Sequence, residues 1–105
     1  MKKLLLALAL ILSVTAQADD KKSACINVLQ VGMYNGLLEK ICGFNGGVKA
    51  KMQNIYAEGG CVPLINGEII DAVSSDVTND TYSRKNAMGE KAFCVGNKQA
   101  YNALK

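Results

Sequence analysis

Four cysteines, Cys25, Cys42, Cys61 and Cys94, are the residues of this 105-residue chain best equipped for chemistry. Their spacing narrows what that chemistry is. No CxxC pair occurs and the chain has no histidine, so a zinc site would have to gather four thiolates from distant positions. A redox-active dithiol is disfavoured on the same ground. The missing histidine also removes Ser-His-Asp and Cys-His arrangements and the commonest general base. Glu68 and Asp71, three residues apart, share a helix face and are a conceivable carboxylate pair. They are read more simply as acids at a helix N-terminus, where the macrodipole favours them. Asp76 and Asp80 read as solvated carboxylates, and Lys49-Lys51 and Arg84-Lys85 as isolated basic points. Six aromatics without a tryptophan give little for stacking bases or sugars. The expectation is a protein that is not an enzyme and has neither metal nor cofactor.

The stretch Cys42-Gly43-Phe44-Asn45-Gly46-Gly47-Val48-Lys49 invites a phosphate-loop reading. Its glycine spacing does not fit GxxxxGK[ST], Ala50 follows the lysine, and no strand precedes it. It reads instead as a turn between helices. Gly43 stands where a left-handed C-terminal residue belongs, and Asn45 is the expected cap of the next helix.

The chain opens MKKLLLALALILSVTAQADD. Two lysines, an apolar run from Leu4 to Leu12 and the small-x-small triplet Ala16-Gln17-Ala18 form a secretory signal peptide over residues 1–18. The apolar run is far shorter than the roughly 20 residues that span a bilayer. Lys22-Ser23-Ala24-Cys25 carries a lysine where a lipidation box needs an apolar residue, so no acyl anchor is expected. Cleavage removes two lysines and no acid. Residues 19–105 then carry ten basic and nine acidic side chains, a net charge of +1. That balance calls for neither nucleic acid nor an anionic membrane, and no stable membrane insertion is expected after cleavage.

A single domain of this size has a marginal core and benefits from covalent staples. An even cysteine count in a short exported chain predicts two disulfides. Ile26, Leu29, Met33, Leu37 and Ile41 recur at helical spacing and predict one helix over 23–41; Val48, Met52, Ile55 and Tyr56 predict a second, ending at Gly59-Gly60. Cys25 and Cys42 then lie about 25 Å apart at opposite ends of the first helix, beyond the roughly 7 Å Cα limit of a disulfide. Cys42 and Cys61 flank the second helix in the same way. The pairing that survives is Cys25–Cys61 with Cys42–Cys94.

Pro63 blocks any helix through the next connection, and Asn66 is the expected cap of a third helix whose apolar face is Ile69, Ile70, Val73 and Val77. From Thr78 to Arg84 the pattern weakens, and the helix either breaks there or continues with an exposed face. Met88, Ala92 and Val95 resume a helical period. Gly96-Asn97 reads as a stop followed by a cap, before a short last helix with Ala100, Tyr101 and Leu104. Gly32 and Gly36 permit a close helix crossing, read as one inside the bundle in preference to a homodimer seam. The fold class is all-α: three main helices plus a short C-terminal helix, stapled by two disulfides.

With no catalytic set, surface recognition remains. Tyr34, Asn35, Tyr82, Arg84 and the loop residues Leu64, Ile65 and Asn66 are the candidate partner-binding positions, because tyrosine and arginine anchor interfaces well. Half-buried packing is the competing role for both tyrosines. Cys61-Val62-Pro63, followed by a helical stretch closing in Phe93-Cys94, resembles a pattern in the periplasmic immunity proteins that neutralise type VI secretion amidases. Those proteins are small, exported, helical and disulfide-linked, and they occlude a toxin's active site. The resemblance implies a periplasmic or secreted steric inhibitor of a protein partner in the cell envelope, and carries over no individual binding residue. The alternatives are an envelope stress factor that binds unfolded protein and a structural protein.

Overall fold

In the computed structural model the backbone is described from Lys2 and the side chains from Asp20, both to Lys105. The signal-peptide reading falls on residues 1–18 and lies outside the fully described part. Four helices follow one another: α1 (Lys2–Cys42), α2 (Val48–Glu58), α3 (Gly67–Met88) and α4 (Glu90–Ala103). No strand occurs among the described residues.

α1 is the central element, packed against each of the other three helices, while α3 also packs against α4. This explains why its expected apolar line is only partly covered. Ile26, Leu29, Met33, Leu37 and Ile41 are half-buried, whereas Cys25, Gly32, Asn35 and Leu38 are buried. A helix with neighbours on several sides has its deepest positions where those neighbours converge, not along its most hydrophobic stripe. α2 comes closest at the glycines. A Cβ on Gly32 would lie 3.1 Å from Met52 Cβ, and one on Gly36 would lie 3.0 Å from Lys49 Cδ. The small-residue line therefore serves a crossing inside the bundle.

Both disulfides pair as helix geometry requires: Cys25–Cys61 with Cα atoms 5.4 Å apart, and Cys42–Cys94 with 5.5 Å. Each sits in or beside one of two core clusters. Cys25, Cys61 and Ile65 form one, lined by Ile26, Leu29, Tyr56, Ile69 and Ile70. Leu38, Val48, Met52, Phe93 and Tyr101 form the other, with Cys42 and Cys94 against it.

The connections are built from local chemistry, with two corrections to the sequence expectation. Gly43 ends α1 in the left-handed region (φ +72°), its N–H donating to Glu39 O at 3.1 Å. Asn66 caps α3 by accepting from Ile69 N at 2.9 Å. Asn45, however, does not cap α2. Gly47 holds that position and has no side chain to offer; the carboxylate of Glu39, on the preceding helix, accepts from Val48 N at 3.0 Å instead. Nor does the chain stop at Gly96-Asn97. α3 runs through the polar 78–84 stretch, where Thr81, fully buried, satisfies its hydroxyl by donating to Val77 O at 2.6 Å. The break comes at Gly89, whose φ of +88° an L side chain adopts only with strain; its N–H closes α3 on Lys85 O and its carbonyl opens α4 at Phe93 N. Gly96 and Asn97 lie inside α4, and so does Cys94. Met88 and Val95 are exposed, and the inward line of α4 is Phe93, Asn97 and Tyr101.

Candidate functional site

A groove of about 520 Å³ opens where α1, α3 and α4 meet. α1 contributes Tyr34, Asn35 and Leu38; α3 contributes Asp76, Val77, Asp80 and Arg84; α4 contributes Asn97 and Tyr101. Helical spacing accounts for the set, since Asp76, Asp80 and Arg84 stand four apart on one face of α3, and Asn97 and Tyr101 do the same on α4.

The polar groups of the groove are mutually held. Tyr34 donates its hydroxyl to Asn97 Oδ1, and Asn97 Nδ2 donates to Phe93 O at 2.7 Å. Arg84 lies 5.1 Å from the centre of the Tyr34 ring and pairs with Asp80 at 2.8 Å, so ring, guanidinium and carboxylate form one wall. Burial pushes the Tyr34 hydroxyl above the ordinary tyrosine range; the Arg84 cation pulls it back, and the Asp80 charge raises it again. Asn35 is buried, with Nδ2 donating to Val31 O at 2.7 Å.

Beside the groove, Tyr101 ties α4 to the interhelix turn. Its hydroxyl accepts from Gly46 N at 2.7 Å and donates to Glu39 Oε2 at 2.7 Å. Burial first, and the hydrogen bond to the Glu39 carboxylate second, raise its pKa. The turn that suggested a phosphate loop therefore directs its Gly46 and Val48 N–H groups at protein acceptors.

Of the seven candidate binding residues, Tyr34, Asn35 and Arg84 are brought together in this groove. Tyr82 is half-buried, with the Lys85 ammonium 5.4 Å from its ring centre. The 61–67 loop is divided. Val62 and Leu64 face solvent, Asn66 caps α3, and Ile65 is part of the core at 3% exposure. Asp76, Asp80 and Asn97 also belong to the site, although the sequence pattern marks the two aspartates as solvated and Asn97 as a helix cap. The i, i+4 relation of Asp80 to Arg84 was the one signal available.

A second depression of about 350 Å³ lies between α1 and α2, lined by Val28, Leu29, Met33 and Met52, with Lys49 and Tyr56 among its neighbours. The Tyr56 hydroxyl is buried without a hydrogen-bond partner. Among the described residues no three His, Cys, Asp or Glu side chains gather as a metal would require, and no cysteine is free. Nor is any helix among them long and apolar enough to cross a membrane. No protein-family model, curated protein or solved structure matches the chain.

Proposed function

We propose that this chain is an exported, disulfide-clamped helical domain that binds a protein partner in the cell envelope and blocks it sterically, as an inhibitor or immunity protein does. The observation that carries the reading is the groove between α1, α3 and α4, where Tyr34, Asn35 and Arg84 come together on one surface. Aromatic and arginine side chains around a partly desolvated recess are the usual anchors of a protein interface. A bundle bridged at both ends holds such a surface in shape before binding, which lowers the ordering cost of association. Two closed disulfides suit a chain that folds in an oxidising compartment.

The test is capture of the tagged protein from a native cell-envelope extract, run beside Tyr34→Ala and Arg84→Glu variants. One stoichiometric partner, lost with both variants and inhibited by an equimolar amount of purified protein, supports the reading. A partner whose binding is indifferent to both variants, or whose activity is unchanged in the complex, removes it.

The apolar depression between α1 and α2 favours a second reading, an envelope factor that binds unfolded protein. Such a factor exposes more apolar surface on a trigger. With no histidine, a pH trigger must titrate carboxylates, between about pH 2 and 5. Strong binding of an apolar dye in that range, with helicity retained, would favour this reading over steric inhibition.

A further inference from the structure

The depression between α1 and α2 has two distinct ends. The helices run antiparallel, and their close approaches fix the register. A Cβ on Gly36 would meet Lys49 Cδ at 3.0 Å, and one on Gly32 would meet Met52 Cβ at 3.1 Å. Tyr56 packs farther along, with Leu29, against the cluster of Cys25, Cys61 and Ile65. Lys49 therefore stands at the Gly36 end of the depression and Tyr56 at the end nearer the Cys25–Cys61 bridge. The two lie on one face of α2, about 10 Å apart along its axis at 1.5 Å per residue. The walls between them are apolar: Val28, Leu29, Met33 and Met52.

Each end carries a polar group without a protein partner. Among the described residues, the Tyr56 hydroxyl is the one buried side-chain oxygen or nitrogen that makes no hydrogen bond. A buried donor left in that state is unfavourable, and an acceptor entering the depression relieves it. Lys49 is the one charged side chain of the lining, is exposed, and forms no ion pair among the described residues. Gln53, the remaining polar side chain of the lining, is exposed. The volume of about 350 Å³ falls within the range of small-molecule sites, roughly 300–1,000 Å³, which combine apolar walls with a few polar groups.

A cation at one end, a hydroxyl donor at the other and an apolar wall between them are complementary to one kind of guest. Its carboxylate suits Lys49, its alkyl chain covers the wall, and an acceptor near its far end meets Tyr56. A plain alkyl tail leaves the hydroxyl unpaired, a neutral guest makes no use of Lys49, and a cationic guest is repelled by it. We propose that the α1–α2 depression binds a medium-length alkanoic acid with a carbonyl oxygen near the end remote from its carboxylate. Lys49 Nζ pairs with the carboxylate, and the Tyr56 hydroxyl donates to the carbonyl. Met33 and Met52, unbranched and adaptable, give way so that the shielded hydroxyl is reached. The site is separate from the groove of Tyr34 and Arg84 and does not rest on the protein-binding reading.

The probes are decanoate, the same acid with a ketone beside its terminal methyl, and methyl octyl ketone, which has the chain and the ketone but no acid. Each is titrated below its micellar range into the oxidised protein and followed by proton–nitrogen NMR. Saturable shifts are expected in the segments 28–36 and 49–56, with the oxo acid bound tightest. Its advantage over decanoate should be about threefold or more and should vanish in Tyr56→Phe. Its advantage over the ketone should be about threefold, should vanish in Lys49→Met and should shrink with added salt. Lys98→Met, the same charge loss at an exposed residue outside the depression, should bind as the wild type does. Tyr34→Ala and Arg84→Glu, which alter the groove, should also leave oxo-acid binding unchanged. Without ligand, Tyr56→Phe should unfold in urea no earlier than the wild type, because the hydroxyl it removes has no partner to lose. An earlier midpoint for that variant, or loss of oxo-acid binding in the groove variants, overturns the inference. So does equal binding of all three probes, the behaviour of an apolar surface for unfolded protein. Shifts outside the two segments, or no response to any probe, overturn it as well.

Discussion

Glu39 connects three segments through one carboxylate oxygen. Oε2 accepts from Val48 N at the start of α2 and from the Tyr101 hydroxyl of α4, while Tyr101 accepts from Gly46 N in the turn. Hydrogen bonds to an ionised acceptor are stronger than neutral ones, and a cap lost to substitution costs about 1 kcal/mol. Glu39→Gln is expected to lower the unfolding free energy by about 1–2 kcal/mol in urea denaturation. Tyr101→Phe should cost about as much, because it leaves Gly46 N–H without its acceptor. The double variant should cost less than the sum, since both act on one network. Tyr34 and Tyr101 also carry raised pKa values, in each case chiefly from burial. For an acid whose folded pKa exceeds its unfolded value, the folded state holds its proton longer. The contribution is intact below the unfolded pKa, about 10, and is lost as pH climbs toward the folded value. Stability should therefore fall above about pH 10, and the decline should be shallower in Tyr101→Phe relative to its own neutral-pH value. Phenolate absorbance should show a late-titrating component that shrinks in each of Tyr34→Phe and Tyr101→Phe.

At the scale of the helices, glycines separate close packing from mere tolerance. A methyl at Gly32 would meet Met52 Cβ at 3.1 Å, an atom held by the α2 backbone, so α2 must move. A methyl at Gly36 would meet Lys49 Cδ at 3.0 Å, part of a flexible exposed chain that can swing away. Alanine gains about 1 kcal/mol over glycine in a helix interior, whereas overpacking costs about 1–3 kcal/mol. Gly36→Ala should accordingly be neutral or stabilising, and Gly32→Ala net destabilising by up to about 2 kcal/mol, both read from thermal melts followed by circular dichroism. Equal effects would mean that the crossing is looser than the structure has it. Gly89→Ala should destabilise by about 1–3 kcal/mol, since the positive φ that turns α3 into α4 strains any side chain.

For the molecule as a whole, the two bridges close intervals of 36 and 52 residues at opposite ends of the α1–α2 hairpin. The logarithmic dependence of loop entropy on length makes their contributions similar, about 2–4 kcal/mol each. The paired variants Cys25→Ser, Cys61→Ser and Cys42→Ser, Cys94→Ser should each lose about that much in urea titration, and reduction of both bridges should leave little folded protein. The losses should differ in character. The first pair sits in the small cluster with Ile65, whereas the second fastens α4, which supplies Asn97 and Tyr101 to the groove. Capture of a partner through the groove should thus weaken more when Cys42–Cys94 is removed, even at temperatures where both variants remain folded.

What the sequence by itself determined was local or metric. Helical periods, Pro63, the Gly59-Gly60 stop and the Asn66 cap are written in neighbouring residues, because capping and backbone preference act within a turn. The rise of 1.5 Å per residue then leaves one pairing of Cys25, Cys42, Cys61 and Cys94 compatible with two intact helices. What only the tertiary structure decided involves partners distant in the chain. Tyr101 and Glu39 are 62 residues apart and Tyr34 and Asn97 are 63 apart, and no local pattern announces either contact. The Glu39 cap left Asn45 without the role its residue type suggests. The Tyr34 contact and the Phe93 carbonyl engaged Asn97 inside α4, and left Gly89 to make the break. Asp76 and Asp80 became the rim of a groove only because that face of α3 packs beside α1 and α4, a choice made by the shape of the assembled core.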